Sequence, residues 1–151
     1  MPLEVPEPEI ALESYYGHPS SKNINILFKT TNKSAKLPKQ ASKGSVGYNL
    51  FSLTPAIIPP KTHSLIPTGL SCEIPTGYYG QLASQSGFAS KLKIFTMPGV
   101  IDNDFREIKI LLKNEGDNPF TIPLNKPTSQ LLIIPYASFK PQLANHLSKT
   151  S

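Results

Sequence analysis

A single cysteine, Cys72, stands among 151 residues. That excludes an intrachain disulfide and any zinc site built on several thiolates, and it suits an intracellular setting, cytoplasm or nucleus. Histidine is sparse too, with three. His18, His63 and His146 lie far apart without ligand-like spacing, and each is flanked by turn or polar residues, so solvated positions are expected. No apolar run approaches the roughly 20 residues that a membrane-spanning helix needs, and the first residues, Met1-Pro2-Leu3-Glu4, have neither the basic nor the apolar region of a secretory signal. A soluble chain without membrane association is expected. No Ser or Cys sits in a nucleophile-elbow context with a His partner, which sets nucleophilic triads aside.

Proline and glycine, by contrast, are plentiful: 16 and 9, spread along the whole length. Proline removes a backbone donor and clashes with the preceding turn, so long helices are excluded and strands with turns are expected. The length suits one hydrophobic core. Residues 1–22, glutamate- and proline-rich, read as a flexible acidic arm, and 23–136 as the folded β domain, with 137–151 as a tail. The alternation in Asn23–Lys29 predicts a first strand. Further apolar runs follow at Gly47–Leu53, Ala56–Ile58, Ser64–Ile66, Leu70–Ile74, Tyr78–Leu82, Lys91–Thr96, Ile108–Asn114, Phe120–Ile122 and Gln130–Pro135, a rhythm that predicts a sandwich, barrel or jelly roll. Ser86–Lys91 has room for one helical turn.

The formal net charge is +5 and unevenly spread: Glu4, Glu7, Glu9 and Glu13 stand in the N-terminal arm, with Lys22, Lys29, Lys33, Lys36, Lys39 and Lys43 close behind. This lysine group has no arginine and no interleaved aromatics, so it reads as a solvated loop and no nucleic-acid binding is expected.

Three segments carry candidate chemistry. Gly99-Val100-Ile101-Asp102-Asn103-Asp104-Phe105 reads as a strand running into a tight hairpin turn, where a partly buried Asp102 could hold and deprotonate a water. Ser84-Gln85-Ser86-Gly87 precedes the helical turn and could offer N–H groups and a hydroxyl to a phosphate. Gly47-Tyr48-Asn49-Leu50 reads as a strand start with a buried tyrosine. Taken singly, each is as well explained by turn shape or packing.

Order and spacing join them. Ser45–Leu50 resembles the first motif, A-G-Y-D-L, of the trimeric dUTPases. Pro75–Gly80 and Ser84–Gly87 resemble the segment leading to, and including, the second, P-R-S-G. Gly99–Arg106 resembles the third, G-V-I-D-x-D-Y-R-G, and Ser129–Leu132 the fourth, A-Q-L-I. The resemblance implies an all-β, jelly-roll-like β-barrel forming a homotrimer, with nucleotide sites at subunit boundaries and dUTP hydrolysed to dUMP and pyrophosphate with Mg2+ held mainly by the triphosphate. It further implies that Gly99, Val100 and Ile101 grip uracil, that Phe105 stacks on deoxyribose, that Asp102 activates water, and that Ser86, Gly87, Gln85 and Gln130 contribute to nucleotide binding. No direct metal ligand is implied.

The departures fall on the phosphate side. Asn49 stands for the first-motif Asp that organises hydrated magnesium, Gln85 for the second-motif Arg, and Pro127 near a fourth-motif Arg; Glu107 replaces a glycine, and residues 136–151 hold no glycine where the family has a glycine-rich closing arm. An amide cannot supply the bidentate, charged bonds of guanidinium to phosphate. The expectation is therefore a dUTPase-fold trimer, viral or virus-derived, that has lost efficient hydrolysis and binds a protein or a deoxyuridine nucleotide in a regulatory role. The alternative expectation is an active or weakly active dUTP diphosphatase.

Overall fold

The computed structural model describes residues 24–148. The acidic arm, and His18 within it, lie outside the described residues. Twelve short strands follow one another: β1 (Leu27–Thr30), β2 (Lys39–Gln40), β3 (Tyr48–Leu50), β4 (Ile57–Ile58), β5 (His63–Pro67), β6 (Leu70–Glu73), β7 (Tyr78–Ser84), β8 (Ile94–Thr96), β9 (Gly99–Ile101), β10 (Lys109–Asn114), β11 (Phe120–Thr121) and β12 (Ser129–Pro135). A single π-helical turn, Phe88–Leu92, separates β7 from β8. It takes up the first part of the stretch expected as a strand from Lys91, because Lys93 adopts the left-handed conformation and donates its N–H back to the Phe88 carbonyl. The first strand likewise begins later than its alternation suggests, at Leu27, where pairing with β6 starts. Among the described residues no helix is long and apolar enough to cross a membrane.

All pairings are antiparallel. The largest sheet runs β2-β3-β12-β7-β9, a second runs β5-β10-β8, and β1-β6 and β4-β11 form two-stranded ribbons. The fold is all-β, as expected, but none of the four sheets closes on itself. The strands run from two to seven residues. β12 and β7 form the spine, in register from Ser129 opposite Ser84 to Pro135 opposite Tyr78.

Alternation decides which faces meet. On β10, Ile110, Leu112 and Asn114 point inward while Lys109, Leu111 and Lys113 face outward, and on β6 Leu70 and Cys72 are the buried pair. With Leu50, Ile66, Ile74 and Leu131 they make one continuous core. Each such side chain stabilises the fold by about 1.5–3 kcal/mol through burial, and Ile110→Ala would cost about 2–5 kcal/mol. Gly80 lets the large sheet pack tightly at its centre, since a Cβ there would stand 2.9 Å from Ile101 Cβ and 3.0 Å from Leu131 Cδ1. His63 and His146 are exposed, as expected, and so are the loop lysines Lys33, Lys36, Lys39 and Lys43. Lys39 and Gln40 nevertheless form β2, an edge strand that alternation did not reveal; it faces solvent on both sides, so no apolar pattern marks it.

Candidate functional site

β9 is the last strand of the five-stranded sheet, paired on one side with β7. The expected hairpin at Gly99–Phe105 does not form, because the chain leaving Ile101 turns at Asn103-Asp104 and crosses to β10, which belongs to the other large sheet. Two sets of bonds shape that turn. Asn103 accepts the Ile74 N–H through Oδ1 and donates through Nδ2 to the Ile74 carbonyl, both at 2.8 Å. Asp104 accepts the Arg106 backbone N–H at 3.0 Å through one oxygen, and Arg106 Nε at 2.8 Å and a terminal guanidinium nitrogen at 2.6 Å through the other. These bonds hold Asp104 below its ordinary pKa and raise that of Arg106. Between them Phe105 sits at φ 59°, a left-handed conformation that costs a non-glycine residue about 1–3 kcal/mol and persists only where neighbours enforce it.

Beside this segment lies a cleft of 540 Å³, lined by Leu82, Gly99, Val100, Ile101, Asp102, Asp104 and the run from Arg106 to Lys109. The volume is in the range of small-molecule sites. It brings together four residues expected to act on the nucleotide: Gly99, Val100, Ile101 and Asp102. Asp102 is exposed rather than partly buried, since no strand follows to cover it. Phe105 does not line the cleft and is 56% exposed. Glu107 does line it, with Oε2 buried and unpaired among the described residues. The turn lies close enough to β6 that the Cys72 thiol, pushed up chiefly by burial, is raised further by Asp104.

The phosphate-side residues form a second group. β12 lies between β3 and β7, placing Gln130 opposite both Asn49 and Ala83. Gln85 donates to Asn49 Oδ1 at 3.0 Å and to the Ser129 carbonyl at 2.9 Å, while Gln130 donates to the Ser84 carbonyl at 2.8 Å. Beneath them, Ser129 Oγ donates to the Ala83 carbonyl at 2.8 Å and lies 2.9 Å from Thr96 Oγ1. Ser86 and Gly87 stand exposed where the helical turn begins, and none of this second group lines the cleft. Tyr48, expected to be buried, is 38% exposed: it shares the face of β3 with the buried Leu50, but at the start of the strand it lines an open groove with Ile26, Phe28 and Leu131. Gly47 is buried against Gln130, where a Cβ would overlap Oε1 and stand 3.0 Å from Cδ.

No group of three or more His, Cys, Asp or Glu among the described residues is arranged to hold a metal ion, and Asn49 spends its oxygen on Gln85. Among the described residues, side chains alone do not make a magnesium site.

The dUTPase family model matches residues 33–151. The chain belongs to the dUTPase family. Among curated relatives, a deoxyuridine 5'-triphosphate nucleotidohydrolase of avian adenovirus 8 is 40% identical over 118 residues, covering 78% of this chain and 72% of that protein. The protein of the same name from Trichodesmium erythraeum is 35% identical over 130 residues, covering 84% and 92%. Among solved structures, the Staphylococcus bacteriophage 80alpha dUTPase with dUpNHpp superposes with a TM-score of 0.78 at 23% identity, covering 84% of this chain and 92% of that one. A point mutant of the dUTPase from phage phi11 of S. aureus, described with a structural Mg(II) ion, gives 0.77 at 21%, covering 83% and 99%. The dUTPase fold expected from the four motifs is therefore the observed one.

Proposed function

We propose that this dUTPase-family chain binds deoxyuridine nucleotides in the cleft along the free edge of β9 and hydrolyses dUTP to dUMP and pyrophosphate. The observation that carries the reading is that the run from Gly99 to Asp102 forms one wall of a cleft of nucleotide size, with Leu82 and the segment from Arg106 to Lys109 around it. The names of relatives at 35–40% identity support the reaction. Strand-edge N–H and carbonyl groups give uracil the pairing surface it requires. Asp102, with an exposed carboxylate, accepts the proton of the water that breaks the link between the α- and β-phosphates. Ser86 and Gly87 take the phosphates. Because they do not line the cleft of a single chain, the reading includes a homotrimer in which neighbouring copies complete each site. The outer face of the second sheet supports it: Leu65 lies opposite Leu111, beside Met97 and Phe95, and Leu65, Met97 and Phe95 are all exposed in the single chain. Magnesium would enter with the triphosphate. An intracellular setting follows from that ligand class.

A second reading, favoured by one observation, is a nucleotide-binding regulatory module with little turnover, with or without a protein partner. Both N–H groups of Gln85 are spent within the protein, and Arg106, the chain's one arginine, is paired with Asp104. Pyrophosphate release from dUTP and magnesium separates the two. Turnover of about 1 per second or faster, an ordinary enzyme rate, supports the first; dUMP binding in calorimetry without comparable turnover supports the second. A protein that binds neither dUMP nor dUTP refutes both.

A further inference from the structure

We propose that Asn103 is a positioning residue that holds the Gly99–Asp102 backbone edge in place over the cleft, by pairing with the backbone of Ile74 as a strand residue would. The inference deepens the proposed function and rests on it.

Asn103 is 29 residues from Ile74, yet its amide meets both polar groups of that one residue at 2.8 Å. Ile74 is 2% exposed and stands one position beyond the β1–β6 ladder, which ends at Leu27 opposite Glu73. Asn103 therefore pairs with the edge away from β1, the edge on which the Ile108 N–H bonds the Leu70 carbonyl. On the other side of Asp102, Ile101 on the edge strand β9 is held opposite Gly80 of β7, under close packing. Asp102 is thus clamped through both neighbours while its own side chain remains exposed. Its position is determined by the residues on either side of it, and only one of those two anchors is a side chain that can be altered.

The clamp demands a group that donates and accepts at once. An amide does so at any pH. A carboxylate accepts only, and would oppose the Ile74 carbonyl; a protonated carboxyl again does both. Asn103→Asp therefore makes the clamp a function of pH, whereas Asn103→Ala removes it. Charged groups near the position are Asp102, Asp104 and Arg106 on the turn, Glu107 in the cleft wall and Glu73 beside Ile74; the unaltered protein measured at each pH accounts for their titration.

The test is calorimetric titration of the full-length chain with deoxyuridine, which carries no group titrating between acid and neutral pH, below the melting temperature of each variant. At pH 7, Asn103→Ala and Asn103→Asp should each weaken binding by about tenfold or more, as loss of two bonds predicts. Near about pH 4, where an Asp carboxyl takes up its proton, Asn103→Asp should recover affinity relative to the unaltered protein while Asn103→Ala does not. Equal affinity of both variants and the unaltered chain at pH 7 overturns the inference, and so does loss without recovery in Asn103→Asp. Failure of the unaltered chain to bind deoxyuridine would instead refute the proposed nucleotide site, and the inference with it.

Discussion

Gln85 turns both N–H groups of its amide inward, one to Asn49 and one to the Ser129 carbonyl. A backbone carbonyl only accepts, so the orientation of the Gln85 amide is fixed, and the Asn49 oxygen must face it. The two residues that depart from the dUTPase motifs on the phosphate side are thus one hydrogen-bonded unit. An uncharged pair stands where the motifs carry an acid and a base.

Two positions in direct contact should not behave independently. Gln85→Arg alone sets a half-buried cation against a neutral amide, and Asn49→Asp alone sets an anion there. Each single change should lower stability in urea unfolding, and the double variant should recover a coupling of about 1 kcal/mol or more. dUTP turnover should rise further in the double variant than the two singles together predict. Stabilities that add to within about 0.3 kcal/mol would mean that the pair is not coupled.

Gly47 offers a second measurement on the same cluster. A Cβ here must displace Gln130, which would give up its bond to the Ser84 carbonyl. Gly47→Ala should cost about 1–3 kcal/mol, read as a lower melting temperature. If the clash is the cause, adding Gln130→Ala removes most of that loss. An equal loss in both backgrounds would point to backbone strain instead.

The strand rhythm was legible because proline and glycine punctuate runs whose apolar positions really do face one core: Leu70 and Cys72 on β6, and Ile110 and Leu112 on β10. The motif residues from Gly99 to Asp102, consecutive in the chain, line one cleft. What local pattern could not carry was the route of the chain past Ile101. Asn-Asp favours a tight turn in any context, but whether the following segment pairs back is decided by β5 and β8, which claim β10 from both sides. The bond between Asn103 and Ile74 was equally hidden, because nothing in a turn sequence names a partner 29 residues away. The contact between Asn49 and Gln85, separated by 36 residues, depends on β12 lying between their strands.

Asp104 gives a pH dependence with a defined sign. Its carboxyl is held below the ordinary value by hydrogen bonds from Arg106. A lowered native pKa means that the stabilising pair is present above the unfolded value and is lost as pH falls through the native one. The turn carrying Phe105 should therefore stay ordered from neutral pH down to about 4 and loosen below that, given the usual range of aspartate. A carboxyl-detected NMR titration would follow it. Arg106→Gln should move the Asp104 midpoint upward, and an unmoved midpoint would show that the pairing is not made in solution.

Asp102 and Asp104 are two residues apart and chemically unlike. Both oxygens of Asp104 accept bonds from Arg106, so its lone pairs are engaged and its proton affinity is lowered. Asp102 is exposed, lines the cleft, and makes no side-chain bond to any described residue. Of the pair, only Asp102 is free to receive a proton from water without first breaking a structural contact. Asp102→Asn should therefore reduce dUTP turnover by about 10²–10⁴, the usual worth of a general base, while dUMP affinity in calorimetry changes little. Asp104→Asn should act differently, loosening the turn and weakening dUMP binding along with turnover. If Asp102→Asn left pyrophosphate release intact, the water would have to be activated by another group, and Glu107, whose Oε2 is unpaired in the same cleft, would be the residue to replace next.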